Sequence, residues 1–311
     1  MNRPNPIGTR SICPWQLRTR TVELGRRTLI MGVVNITPDS FSDGGSFLSP
    51  EAAIAHAVQL LDEGADLLDL GAESTRPGSR AGGVPGSEST PAVSAEEEQA
   101  RLLPVLAGIL KELPHAVVSI DTYKAATARA ALAAGAEIIN DVSGFTWDHE
   151  LPAVCAEARC GLILMHTRGR PEEWRTQPQL DPETIIATVR DGLAASLATA
   201  RHAGLASEAI LLDPGYGFGK RFNENFSLLA RQQELLALGR PLLTGLSRKS
   251  FLGHALAPLY GNQGAPVHAR ETAGIAALVA AILHGASIVR VHDVRPAVEA
   301  ARIVDAILAA A

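Results

Sequence analysis

The chain has 311 residues, 46% of them apolar and 20% charged, so it can build a large core and is not expected to be disordered. A formal charge of −5 excludes a general electrostatic attraction to nucleic acid or anionic membranes, and scarce aromatics (4%) leave Ala, Leu, Val and Gly to fill the interior. Cys13, Cys155 and Cys160 are odd in number and form no CxxC pair, which points to reduced thiols and a cytoplasmic location.

Residues 1–28 read as a lead-in, a candidate ribbon at the bottom of the domain. Their first stretch, MNRPNPIGTR, lacks the apolar core of a signal peptide. The apolar strand from Leu29 runs into Asn35 and then a polar loop with Thr37, Asp39, Ser40, Ser42 and Asp43. Ser49-Pro50-Glu51 is a helix start, Ile54, Val58 and Leu61 share one face, and Gly64 stops the helix. Leu67-Leu68-Asp69-Leu70-Gly71 is the second strand, followed by AESTRPGS and a Gly-, Ser- and Pro-rich segment over 78–93. Ser94 and Glu97 form a capping box for a helix to about Glu112.

The third strand spans Ala116–Ile120 and ends in Asp121-Thr122; an alanine-rich helix closes at Gly135. Glu137–Ile139 leads to Asn140-Asp141, and Gly161–Met165 to His166. A Pro- and charge-rich loop precedes a helix through about Arg201. Ala209–Leu212 ends in Asp213 and the loop PGYGFGK; Pro241–Leu246 ends in Ser247-Arg248-Lys249. Ala286–Val291 finishes at His292-Asp293, and a last helix runs to the C-terminus.

Eight short apolar strands alternating with helices predict a single-domain (β/α)8 TIM barrel over residues 29–311. An open doubly wound sheet is the main competitor. The strand count and the polar residues after every strand, rather than at one switch point, favour closure. Closure would bring Asn35, Glu73, Asp121, Asn140, His166, Asp213, Lys249 and His292 around one cavity. Singly, each has an ordinary alternative as a helix cap or a satisfied rim residue. Asp69 stands out because an unpaired carboxylate inside an apolar strand is costly.

As a set, Asp121, Asn140 and Asp213 offer acceptors and Lys249 a donor, which suits a flat nitrogen-rich ring with π faces toward Met165 or Phe218. Arg76, Arg290 and His292 suit an anion such as a diphosphate, and Asn35 a hard cation such as Mg2+. The N–H of Ser250 opens a helix and can take a second anion such as a carboxylate.

The stretches MGVVNITPDSFSDGG, AESTRPG, SIDTYKA, INDVSG, LMH, LDPGYGFGK, GLSRKS and VRVHDV, in this order from about residue 29, resemble the dihydropteroate synthase family. The resemblance implies condensation of a dihydropterin diphosphate with p-aminobenzoate, releasing diphosphate, in a family that is usually homodimeric. It implies Asn35 as a Mg2+ contact; Asp121, Asn140, Asp213 and Lys249 on the pterin with Met165 in its site; and Asp69 as a buried support. Thr75, Arg290 and His292 would lie near the diphosphate. Thr75, Arg76, Pro77, Phe218, Lys249 and Ser250 would frame the p-aminobenzoate. Asp39 and Arg76 join Arg290, His292 and Lys249 as catalytic candidates, and loops 36–46 and 74–80 as covers. The chain departs from the family pattern in the longer 79–93 segment and in HTRGRP after the fifth strand. The alternatives are a corrinoid-linked methyltransferase on the same pterin-binding barrel, which has no use for the diphosphate group or SRKS, and a pterin-binding paralogue without turnover. An aldolase-like barrel lacks a Schiff-base context around Lys249. The homodimer face is expected on helices 271–285 and 296–310.

Overall fold

The computed structural model describes residues 10–37, 49–74 and 93–310. An antiparallel ribbon of β1 (Cys13–Gln16) and β2 (Thr21–Leu24) comes first. Eight parallel strands follow: β3 (Leu29–Asn35), β4 (Leu67–Gly71), β5 (Val118–Asp121), β6 (Ile138–Asp141), β7 (Gly161–Met165), β8 (Ile210–Asp213), β9 (Leu242–Thr244) and β10 (Ala286–Val291). They close in the order β10-β3-β4-β5-β6-β7-β8-β9, so the sheet is the expected barrel and not an open one. Helices α1 (Pro50–Asp62), α2 (Ala95–Glu112), α3 (Ala125–Ala133), α4 (Leu151–Ala158), α5 (Pro182–His202), α6 (Phe222–Ala230), α7 (Ser250–Ala255), α8 (Glu271–Leu283) and α9 (Val294–Ala310) cover it.

The two-residue period of a strand sorts each sequence into an outward and an inward set. Ile30, Val34, Leu68, Leu70, Val118, Ile120, Leu162 and Leu164 belong to one buried cluster with the helix residues, which makes them the outward set. Leu29, Met31, Leu67, Ile138, Ile163, Leu211 and Ile288 form a second cluster that fills the lower barrel. Two positions further along the same inward phase stand Asp69, Asn140, Met165, Asp213 and Arg290. The barrel is therefore apolar at its N-terminal end and charged at its C-terminal end. One rung of the sheet runs Asn35↔Gly71, Gly71↔Asp121 and Asp121↔Asn140, which sets those strand ends level.

The ribbon closes the apolar end. Trp15, Leu17 and Leu24 pack into the lower-barrel cluster, and the Trp15 indole donates to the Ala209 carbonyl at 2.9 Å.

Helix starts follow the local signals, with two adjustments. The Ser49 hydroxyl accepts from Ala52 N–H, as a cap should. However, α1 buries Ala53, Ala57 and Leu60, with Ile54 and Leu61 flanking that line: the alanines leave room for the strands, and Leu60 fits because it lies over Gly32, where a Cβ would stand 3.1 Å from it. Ser94 accepts from Glu97 N–H, while the Glu97 carboxylate pairs with Arg101 instead of completing a capping box. Among the described residues no helix is long and apolar enough to cross a membrane.

Candidate active site

Asp69 occupies the middle of β4 with no exposed surface, and its partners explain how a carboxylate persists there. Arg290, on β10, reaches past β3 and gives Nε to Asp69 Oδ2 at 2.6 Å and Nη2 to Asp121 Oδ2 at 2.9 Å. Asn140 donates Nδ2 to the same Asp69 oxygen at 3.0 Å. An ionised carboxylate only accepts, so the Asn140 amide must turn its NH2 inward and its carbonyl oxygen toward the mouth. Asp69 thus orients both neighbours without facing the cavity itself.

Burial pushes the Asp121 carboxyl up to about 7; Arg290 opposes this, and the nearby Asp69, Glu98 and Asp141 charges reinforce it. Burial also works against the Arg290 guanidinium, but Asp69 and Asp121 outweigh it and hold Arg290 above its ordinary value. Arg290 is therefore a permanent cation shared between two carboxylates, placed among the expected pterin residues and not apart from them.

The opposite wall belongs to β8 and β9. Asp213 ends β8, and its Oδ1 accepts from Gly215 N–H at 2.7 Å. Lys249 precedes α7, with its ammonium 4.1 Å from the centre of the Phe218 ring. Burial pushes that ammonium down to about 8, with Asp213 holding it up against the repulsion of Arg290. Burial likewise raises the Asp213 carboxyl, against the Gly215 hydrogen bond and the Lys249 and Lys220 charges. Arg248, just before Lys249, has φ +61, a left-handed turn uncommon outside glycine. Its guanidinium pairs with Asp293 at 2.6 Å and its carbonyl accepts from Arg270, which hold the turn in place.

Two glycines keep the mouth open. A Cβ on Gly71 would stand 3.6 Å from Asp121, and one on Gly245 would stand 3.8 Å from the Arg290 Cβ. Both lie in the inward phase, where larger residues would fill the cavity. A shelf of Tyr123, Val142 and Met165, with Trp147 and Phe218 against it, lines one side.

The remaining expected residues divide. Asn35 ends β3, partly exposed, and its side chain has no hydrogen-bond partner among the described residues. His292 follows β10, with Nδ1 3.0 Å from the Ser247 hydroxyl. Ser250 is the exposed first residue of α7. Asp39, Thr75, Arg76 and Pro77, and most of loops 36–46 and 74–80, lie outside the described residues, as does nearly all of the 79–93 segment.

Two members of the expected ring do not face the cavity. The His166 imidazole lies on α5, where a Cβ on Gly192 would be 2.5 Å from its Cδ2. Burial, with the Lys220 and Arg168 charges, pushes it well below its ordinary value, so it is neutral. Its phase explains this: Met165 points in, so the next residue points out. The Glu73 carboxylate is bound to Lys124 at 2.5 Å and to Val93 N–H at 3.3 Å.

Comparison with known proteins bears on this geometry. The sequence model of the family described as "Pterin binding enzyme" matches residues 31–292. A dihydropteroate synthase from Synechocystis is 42% identical over 283 residues, covering 91% of each chain. The chain belongs to the dihydropteroate synthase family. Solved structures of the family superpose closely. The enzyme from Xanthomonas albilineans with 4-aminobenzoic acid is 37% identical, with a TM-score of 0.82 over 96% of this chain and 99% of its own. That from Burkholderia cenocepacia with 7,8-dihydropteroate is also 37% identical, with a TM-score of 0.79 over 96% and 98%.

Reading the sequence left out Lys220, Arg168, Trp147 and the two mouth glycines. Only the glycines carried a signal, their inward phase; the others are recognisable only from the spatial partners they find.

Proposed function

We propose that this chain condenses 6-hydroxymethyl-7,8-dihydropterin diphosphate with p-aminobenzoate, giving 7,8-dihydropteroate and diphosphate for folate biosynthesis, as a dihydropteroate synthase of the transferase class. The observation that carries the assignment to particular residues is the set of groups left facing the mouth once the buried bonds are made. Among the described residues Asp121 Oδ1, the Asn140 carbonyl oxygen and Asp213 Oδ2 have no protein donor, and Lys249 completes the set as a donor. Three acceptors and one donor around one cavity match the N–H-rich edge and carbonyl of a reduced pterin. Met165 supplies an apolar contact for the ring face, and Asp69 fixes the others.

The diphosphate is assigned to the side of Arg290 and His292, with Thr75 and Arg76 added from the sequence pattern and Asp39 from the first loop. The donor chemistry of Asn35 fits a Mg2+ ion: a neutral amide oxygen at the mouth, with no hydrogen-bond partner among the described residues, suits a hard cation that leans on phosphate oxygens and water. Among the described residues no cluster of three or more His, Cys, Asp or Glu forms a protein-only metal cage. Bound there, Mg2+ would neutralise charge on the leaving diphosphate. Arg290 and His292 stabilise the same charge, the acceptor wall holds the pterin as positive character grows at its methylene carbon, and the arylamine attacks that carbon. Phe218, Lys249 and Ser250, with Thr75, Arg76 and Pro77, frame the arylamine.

Residues 29–311 are the pterin-binding barrel in this reading, and 1–28 its floor. The reading includes a cytoplasmic location, consistent with the three free cysteines, and a homodimer. Exposed Phe222, Phe226, Leu259, Tyr260 and Val267, on or beside α6 and α7, support a dimer face there, and Ile303 and Ile307 a second on α9. The test is diphosphate release by purified protein given the pterin diphosphate, p-aminobenzoate and Mg2+. Release must depend on the arylamine, match dihydropteroate formed and stop when the metal is chelated. Release without the arylamine, or none, refutes the assignment.

A further inference from the structure

Lys220 is buried, yet among the described residues no carboxylate lies within ion-pair distance of its ammonium. Its three donors go instead to three carbonyl oxygens: Gly215 at 2.7 Å, His166 at 3.1 Å and Phe218 at 3.3 Å. An uncompensated buried ammonium is expensive, and burial pushes this one down to about 7, with Asp213 partly holding it up. The carbonyls come from both sides of the arylamine wall: His166 ends the β7 side, and Gly215 and Phe218 belong to the loop after β8.

That loop needs such a tie. Gly215, Gly217 and Gly219 all have positive φ, at +69°, +82° and +68°, so the backbone alternates through a conformation that turns its carbonyls inward. Glycines leave such a loop many alternatives when nothing restrains it. The Phe218 N–H also bonds to the Gly215 carbonyl, and its own carbonyl also accepts from Arg168 N–H, so the same oxygens close the turn from within. Asn225 Oδ1 accepts from Gly217 N–H at 2.7 Å on the far side. The Phe218 side chain leaves this tied turn toward Lys249, edge-on to Trp174 at 5.1 Å.

We infer that Lys220 is a positioning residue for the arylamine: its ammonium gathers the Gly215, Phe218 and His166 carbonyls so that the Phe218 ring stands against Lys249. This rests on the reading that Phe218 frames p-aminobenzoate. Lys220 acts through Phe218 and does not touch substrate. The acceptor edge for the pterin depends on it less, because Asp213, Asp121 and Asn140 are residues of the strands themselves.

A double-mutant cycle of Lys220→Met and Phe218→Ala tests this, with separate KM values for p-aminobenzoate and pterin diphosphate, kcat and melting temperature. Lys220→Met should raise the arylamine KM by about tenfold or more while the pterin KM moves less than about threefold. Phe218→Ala should raise the arylamine KM similarly, and adding Lys220→Met to it should raise that KM no further. Lost stability with unchanged KM values, equal rises in both KM values, or effects that multiply in the double variant overturn the inference. A Phe218→Ala variant with normal arylamine KM removes the reading beneath it, a separate outcome. If Lys220→Met does not fold, Lys220→Gln, which keeps two N–H donors, carries the same cycle and the same criteria.

Discussion

Replacing Arg290 with methionine isolates the charge at the centre of the site. The stem volume is nearly kept, but Asp69 loses its 2.6 Å partner and Asp121 its 2.9 Å partner. Asp69 has no exposed surface, so water cannot replace the guanidinium there, and Asp121 is only 13% exposed. Removing one partner of a buried pair costs about 3–5 kcal/mol, and that is the expected loss of unfolding free energy. The loss depends on pH. Asp121 sits at about 7 even with Arg290 beside it, above its ordinary 3.8, and without the cation it moves higher. A carboxyl whose folded value is raised stabilises the fold fully below its unfolded value and loses that contribution as pH rises through the folded one. In the variant this window moves upward, and Asp121 can escape the cost only by protonation.

The deficit should therefore be small near about pH 6 and largest near about pH 9, measured by urea unfolding of parent and variant at both. Asp69→Asn combined with Arg290→Met leaves a neutral amide in place of the stranded carboxylate and should recover about half of the loss or more. A deficit below about 1 kcal/mol at the higher pH, or one independent of pH, refutes a central ion cluster. Failure of the double variant to recover refutes Asp69 as the stranded charge. Turnover and pterin affinity should both fall, because Arg290 holds Asp121 as well as facing the diphosphate.

Lys249 is a cation below about 8 and a neutral amine above it, so kcat/KM should decline on the alkaline side of that value. Lys249→Arg should remove that alkaline limb while lowering overall activity; an unchanged limb assigns it to another group. Gly245 has no positive φ, so Gly245→Leu should leave the melting temperature near the parent's and reduce pterin affinity by about a hundredfold, read by calorimetry. Trp15→Ala should cost about 3–5 kcal/mol of stability by denaturant titration. It should leave the folded enzyme's kcat within about twofold, because the ribbon lies at the other end of the barrel.

The barrel is legible because each strand is a short apolar run that leads into polar residues, and three of them, Leu67–Gly71, Gly161–Met165 and Ala286–Val291, match the structure end for end. The helix α4, Leu151–Ala158, gives no such signal: LPAVCAEA is apolar on several sides and has no side-chain cap. Strand β9 is only Leu242–Thr244: Pro241 has no N–H to give and meets the sheet only through its carbonyl, which accepts from Leu212 N–H at 3.0 Å, and Leu246 lies past the strand's end. The face of α1 shifts toward its alanines because packing against strands selects size as well as hydrophobicity.

The site is legible where phase decides and obscure where distant partners decide. Counting by two along β4, β6, β8 and β10 turns Asp69, Asn140, Asp213 and Arg290 inward together, whereas a polar residue that merely ends a strand carries no such information. His166 shows the difference: it ends its strand like the others but falls on the outward phase, and so becomes a neutral histidine against α5. No local pattern tells that Arg290 will bind Asp69, 221 positions away, or that Lys220 will find carbonyls from two loops. Those pairings follow from the closure of the sheet. A long cation on the inward phase above an apolar floor cannot reach water below and must meet the carboxylates that share its level. The same closure that makes Asp69 tolerable therefore fixes the orientation of Asn140 and Asp121, and with them the donor pattern a ligand must present.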